Sequence, residues 1–220
     1  MAFSLNDFVI QQPRILPVII AVDKSGSMSA NGKIEALNIA LKNFINSMKN
    51  EDDERAVIHT AIYSFGRDVS CDVELQDVTK VEAPTYQAAG KTPLGETLKK
   101  IKLLIEDKNL IPSRSYRPTV VVISDGKPTD DYIHSMEEFI NEGRSSKAFR
   151  IAMSIGDDAN KKILSKFVSE SHFLVDGEDA SDITKFFQFV TMTVTQRIRS
   201  QNPDKPITAG ILDSNDLMEL

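Results

Sequence analysis

The sequence predicts an α/β protein with a doubly wound, mostly parallel central sheet, one antiparallel edge strand and helices on both faces. Strand-like apolar segments alternate with segments of helical periodicity along most of the chain. Two strands, VIIAVD at 18–23 and VVVISD at 120–125, are apolar until a final aspartate. Continuous apolar runs are typical of buried parallel strands, whose carboxyl ends meet at the ligand-binding edge of such sheets.

The first half of the chain predicts three strands and two helices. An apolar run favours a strand at 16–23, and apolar residues at helical spacing favour a helix at 33–49. β-Branched and aromatic residues indicate a strand at 56–65, and a tight turn then leads to an antiparallel edge strand at 69–75. After an irregular stretch, Thr92-Pro93 opens a helix that runs to about residue 107, because threonine can cap a helix and proline suits its first turn.

The second half repeats the alternation without internal repeats or an interior linker. In chain order we expect a strand at 119–125, a helix at 131–142, a strand at 148–156, a helix at 157–168, a short strand at 172–175 and a long helix at 179–199. We therefore expect an N-terminal arm at 1–14, a single domain at 15–200 and a flexible C-terminal tail at 201–220.

Composition indicates an ordinary globular protein and argues against nucleic acid and membranes as partners. The 220 residues are 41% apolar and 26% charged, with a formal net charge of −6. This acidic balance argues against nucleic-acid binding, which normally shows a basic footprint. Cys71 is the only cysteine of the sequence, so no disulfide forms within the chain. Since we find neither a signal sequence nor a membrane-spanning apolar run, we expect a cytoplasmic protein without membrane contact.

Five oxygen-bearing side chains are predicted to meet at the sheet edge. Asp23, Ser25 and Ser27 alternate in one tight loop, Asp125 ends the neighbouring strand, and Thr92 comes from a third loop. Oxygen donors suit Mg²⁺, with Ca²⁺ or Mn²⁺ as alternatives, and suit Zn²⁺ poorly. Two carboxylates would cancel the charge of the ion. If they act partly through water, the ion stays electrophilic and can accept a carboxylate from another protein.

These residues carry a family resemblance. Asp23-Lys24-Ser25-Gly26-Ser27-Met28, Thr92 and Ser124-Asp125-Gly126 resemble the metal-ion-dependent adhesion site (MIDAS) of the von Willebrand factor A (VWA) domain family, over roughly residues 14–199. The resemblance implies the Rossmann-like VWA fold, with Ser25, Ser27 and Thr92 as direct metal ligands. Asp23 and Asp125 would bind directly or through water.

The resemblance also implies a function. It favours a non-enzymatic interaction module that docks an aspartate or glutamate of a partner protein on the bound cation. The compact form is similar to TerY-type proteins associated with tellurite resistance, which implies a bacterial stress-response or signalling complex with a kinase, phosphatase or ATPase as partner. Lys24, Lys127 and Asp157 are candidates for the partner-binding rim, although solvated lysines and a helix-start acid are the simpler interpretations.

Two other functions stay open at this point. The same cation could activate water in a metal-dependent hydrolase, although no general base stands out near the loops. The acidic, apolar-ended segment ILDSNDLMEL at the C terminus could be a docking peptide independent of metal. Gly90-Lys91-Thr92 resembles the end of a phosphate-binding loop, but that motif also needs a glycine at position 85, where this chain has Thr85. Nucleotide binding is therefore disfavoured.

Overall fold

The computed structural model describes residues 13–51, 53–156 and 158–205, without the side chains of residues 158 and 159. Strands and helices alternate in this part of the chain as predicted. The elements are β1 (Arg14–Asp23), α1 (Lys33–Lys49), β2 (Ala56–Phe65), β3 (Val69–Asp77), α2 (Leu94–Glu106), β4 (Thr119–Ser124), α3 (Tyr132–Asn141), β5 (Phe149–Ile155), α4 (Asp158–Phe167), β6 (Leu174–Gly177) and α5 (Ala180–Arg199).

The strands described form one six-stranded sheet in the order β3-β2-β1-β4-β5-β6. β1 runs parallel to β2 on one side and to β4 on the other, and β3 is antiparallel to β2 at the edge. The direction of the chain crossovers therefore reverses between β1 and β4. Such a reversal opens a crevice at the carboxyl ends of the two strands, where ligands of doubly wound sheets bind. The predicted fold class is confirmed.

The core explains why the central strands are apolar along their whole length. Every residue of β1 from Leu16 to Asp23 is buried, as is every residue of β4. Helix α1 packs against α5, with the rings of Phe44 and Phe187 5.9 Å apart, and α2 packs against α3. Because helices cover both faces of the sheet, polar groups at the strand ends are reachable only from its edge.

Several predicted boundaries differ from the structure by one or more residues, and three of them matter here. β1 begins at Arg14, which we had assigned to the arm, because the amide of Arg14 donates to the carbonyl of Arg55 at 2.9 Å. α2 begins at Leu94 with Pro93 as its N-cap residue, one residue later than the predicted cap at Thr92 and first helical residue at Pro93. The last strand is Leu174–Gly177, because pairing with β5 starts at Leu174 while Ser171–Phe173 forms a 3₁₀ turn.

Several predictions fall on residues outside those described. They are the arm up to residue 12, Asp157, and the tail from residue 206, including ILDSNDLMEL. The first residues after α5 are described, and there the Arg197 guanidinium donates to the carbonyl of Pro203 at 2.9 Å. No helix in the described ranges is long and apolar enough to cross a membrane.

Candidate metal centre

The ends of β1 and β4 bring the two predicted aspartates to one place. Val22 is in register with Ile123, so Asp23 and Ser124 follow side by side. The Ser124 hydroxyl donates to Asp23 Oδ2 at 2.6 Å. The side chain of Asp125, one residue further, is wholly buried. The parallel register thus places both carboxylates at the same edge of the sheet.

The loop after β1 folds back over Asp23. The amide of Ser25 donates to Asp23 Oδ1 at 2.7 Å, which fixes the second oxygen of this carboxylate. The hydroxyls of Ser25 and Ser27 lie 3.0 Å apart, and Met28 anchors the turn in the core with no exposed surface. Alternate residues of the loop therefore present two hydroxyls on the same side.

Asp125 closes the cluster from the β4 side. Ser27 Oγ donates to Asp125 Oδ1 at 2.6 Å. Lys33 Nζ, at the start of α1, lies 2.8 Å from Asp125 Oδ2. Both oxygens of Asp125 are thus hydrogen bonded, one to the predicted site residue Ser27 and one to Lys33, which no sequence pattern singled out.

Thr92 joins the cluster from the loop before α2. Its side chain is buried, and a Cβ placed on Gly126 would lie 3.0 Å from Thr92 Oγ1 and 3.7 Å from Ser27 Oγ. Both hydroxyls therefore face Gly126. Backbone bonds hold this loop, since the amide of Thr129 donates to the carbonyl of Thr92 at 2.9 Å. We expected Thr92 to cap α2, but the N-cap residue of this helix is Pro93, which makes no side-chain cap.

A glycine allows the loops to interlock. The amide of Gly26 donates to the carbonyl of Gly90 at 3.1 Å, and the amide of Ala89 donates to the carbonyl of Lys24 at 2.7 Å. Gly90 has a φ of +95°, and a Cβ there would lie 2.1 Å from the backbone nitrogen of Arg67. Only glycine fits this position.

Electrostatics favour a cation among these residues. Burial raises the pKa of Asp23 from 3.8 to about 6, against the lowering effect of hydrogen bonds from Ser124 and Ser25, and the charge of Asp125 raises it further. Within the described ranges, no three His, Cys, Asp or Glu side chains form a group suited to a metal. A cation here would rest on two carboxylates and three hydroxyls, which is the chemistry of a hard ion such as Mg²⁺.

The predicted rim residues lie beside this cluster only in part. Lys24 sits between Asp23 and Ser25, with its ammonium 5.9 Å from the centre of the Tyr86 ring. Lys127 is exposed in the loop after β4. Asp157 lies outside the described residues.

Besides Lys33, two supporting residues were missed in the sequence. Asp130 caps α2 from the loop after β4, its carboxylate accepting from the amides of Gly95 at 3.0 Å and Glu96 at 2.8 Å. Asn160 is fully buried, and its amide nitrogen donates to the carbonyl of Ser124 at 2.7 Å. Neither has a sequence signal that would have singled it out, because both contacts join segments far apart in the chain.

A family model and one protein relative match this chain. The family model described as "von Willebrand factor type A domain" matches residues 18–189. The uncharacterized protein Rv2850c of Mycobacterium tuberculosis is 32% identical over 117 residues, 51% of this chain. The match spans only 18% of that relative.

Solved structures share the fold at low sequence identity. The pilus adhesin SpaC of Lactobacillus rhamnosus GG has a TM-score of 0.69 at 14% identity, over 86% of this chain and 31% of its own. The VWA-type domain of the pilus tip protein Mfa5 of Porphyromonas gingivalis has a TM-score of 0.65 at 10% identity, over 90% and 99%. Mussel byssus proximal thread matrix protein 1, with a zinc-occupied MIDAS, has a TM-score of 0.58 at 13% identity, over 81% and 48%.

Proposed function

Since this chain belongs to the von Willebrand factor type A domain family, we propose that it is a metal-dependent protein interaction module. In this proposal a divalent cation binds at the β1–β4 edge, and an aspartate or glutamate of a partner protein completes its coordination. Domains of this family often mediate metal-dependent protein interactions, and two of the structural relatives are pilus proteins.

The observation that carries the proposal is the convergence of Asp23, Ser25, Ser27, Thr92 and Asp125 at one sheet edge. Ser25, Ser27 and Thr92 would bind the ion directly, and the two aspartates directly or through water. The hydroxyls add no charge, so the ion keeps enough positive character to bind an oxygen anion from outside. Mg²⁺ suits this donor set best, with Ca²⁺ and Mn²⁺ as alternatives. Zinc occupies the motif in the mussel protein.

Interaction is better supported than hydrolysis. A hydrolase needs a base that takes a proton from the metal-bound water. In the described part of the chain, each oxygen of Asp23 and Asp125 already accepts a hydrogen bond, from the amide of Ser25, the hydroxyls of Ser124 and Ser27, and the ammonium of Lys33, so neither carboxylate stands out as a free base.

The resemblance to TerY-type proteins extends the proposal to the cell. We place the module in the cytoplasm, in a bacterial stress-response or signalling complex, with a kinase, phosphatase or ATPase of the same system as the partner. The acid on that partner, rather than its enzymatic class, is what this site would recognise.

A pull-down from the native cell tests this function. The immobilised full chain is compared in Mg²⁺ and in EDTA, with Thr92→Ala as the site variant and Glu137→Ala, an exposed change on α3, as the control. We expect one set of proteins that requires both Mg²⁺ and Thr92 and is retained by the control. Unchanged capture in EDTA and by Thr92→Ala would rule out metal-dependent docking.

A further inference from the structure

We infer that Lys33 is an internal competitor of the metal ion, which lowers the affinity of the site for a divalent cation and couples cation binding to an acidic partner. The inference rests on the proposed function and concerns its regulation.

The contact is close and largely shielded from water. Lys33 Nζ lies 2.8 Å from Asp125 Oδ2, with 12% of the lysine side chain and none of the aspartate side chain exposed. Such shielded charges interact more strongly than pairs on the surface. The ammonium therefore supplies the positive charge that Asp125 needs when no metal ion is bound.

The local structure places Lys33 there against the preference of the helix. Lysine is the first residue of α1, where the helix dipole disfavours a positive charge. The two preceding residues, Asn31 and Gly32, have φ values of 56° and 70°, which turn the chain sharply before the helix begins. Asp125 provides the compensating charge, so the pair explains a lysine at this position.

The net charge of the site shows how Lys33 would affect metal and partner binding. Asp23 and Asp125 contribute two negative charges and Lys33 one positive charge, so the site without metal carries −1. A divalent cation brings it to +1, and one partner carboxylate brings it to zero. Without Lys33, the cation alone would neutralise the site and a partner carboxylate would make it negative. Lys33 thus disfavours the bare metal complex and favours the complex that also contains an acid.

Calorimetric titration of the full chain with Mg²⁺ and Mn²⁺ tests this. Lys33→Met removes the charge and keeps most of the side-chain length, Lys33→Gln is a second neutral variant, and Lys33→Arg keeps the charge. Lys49→Met is the matched control, since it removes a lysine paired with Glu82 at 3.0 Å at the other end of the same helix. Thermal unfolding in EDTA shows whether each variant is folded.

We expect the neutral variants to bind both ions about tenfold or more tightly, because a unit charge a few ångströms from a divalent ion repels it strongly. They should also unfold at a lower temperature in EDTA, while Lys33→Arg and Lys49→Met bind like the wild type. In the presence of acetate, a simple carboxylate probe, the metal affinity of the wild type should rise by a larger factor than that of Lys33→Met.

Two other results distinguish a failure of the Lys33 inference from a failure of the proposed function. If the wild type binds metal and the folded neutral variants bind it equally or more weakly, the role of Lys33 is refuted while the proposed function stands. If neither the wild type nor the neutral variants bind a divalent cation, both are refuted.

Discussion

Asp23 should destabilise the protein when no metal is bound, and Asp23→Asn should remove this cost. The variant keeps the size of the side chain. Its amide oxygen can still accept from the Ser25 amide, now 2.7 Å from Asp23 Oδ1. Its amide nitrogen can donate to Ser124 Oγ, now 2.6 Å from Asp23 Oδ2. The change therefore removes the buried negative charge and leaves the hydrogen bonds.

The raised pKa of Asp23 sets the size of the expected gain in stability. Burial is the main cause of the rise in the pKa of Asp23 from 3.8 to about 6. At about 1.4 kcal/mol per pKa unit, ionised Asp23 lowers the free energy of unfolding by about 3 kcal/mol. We expect Asp23→Asn to be more stable than the wild type by about this amount at pH 7.5 in EDTA.

The sign of the pH dependence follows from the same shift. The folded state holds the proton of Asp23 up to about pH 6, and the unfolded state releases it near pH 3.8. The wild type without metal therefore loses stability as the pH rises from about 4 to 6. The difference between the two proteins should grow over that window and disappear below it.

Urea unfolding in EDTA at several pH values measures this difference, with Asp68→Asn, an exposed loop change, as the control. Mg²⁺ should stabilise the wild type and not Asp23→Asn, because the variant lacks one of the two charges that attract the ion. An Asp23→Asn protein that is no more stable than the wild type at pH 7.5, or whose advantage persists unchanged at pH 3.5, would refute the reasoning.

Three other substitutions test the supports of the site. Asp130→Ala should lower the free energy of unfolding by about 1 kcal/mol in urea titrations, because the amides of Gly95 and Glu96 lose the carboxylate that caps α2. An unchanged free energy of unfolding would show that water replaces this carboxylate. Gly126→Ala should weaken Mg²⁺ binding in calorimetry with little loss of stability, because the Cβ of the new alanine would lie 3.0 Å from Thr92 Oγ1. If the variant binds Mg²⁺ as tightly as the wild type, the Thr92 hydroxyl lies outside the metal site. Arg197→Met should lower the free energy of unfolding by about 3 kcal/mol in urea titrations. The buried guanidinium of Arg197 donates to the carbonyls of Pro203 at 2.9 Å and Arg117 at 2.7 Å, and methionine cannot make these bonds. A loss below about 1 kcal/mol would contradict this role.

The parts of the site that the sequence predicted are those that follow from local rules. Apolar strands that end in aspartate, together with the rule for parallel sheets, place Asp23 and Asp125 at one edge. The alternation of Ser25 and Ser27 with other residues predicts two hydroxyls on the same side of a tight loop. These features need no knowledge of distant contacts.

The parts that the sequence did not predict depend on contacts between distant segments. Lys33 meets Asp125 across the cluster, and Asp130 meets the start of α2. No periodicity links these pairs, and each residue alone is an ordinary charged side chain. The last strand was misplaced for a related reason: the composition of residues 172–175 favours a strand, but pairing with β5 decides where it begins.

Crystals of the full chain grown with Mn²⁺ test the central claim most directly, because the anomalous signal of manganese locates the ion without assumptions. The account predicts one peak within bonding distance of the Ser25, Ser27 and Thr92 hydroxyls, with one coordination position open to solvent or filled by a carboxylate from a neighbouring molecule. No peak at the β1–β4 edge, or an ion there that protein ligands enclose completely, would contradict it.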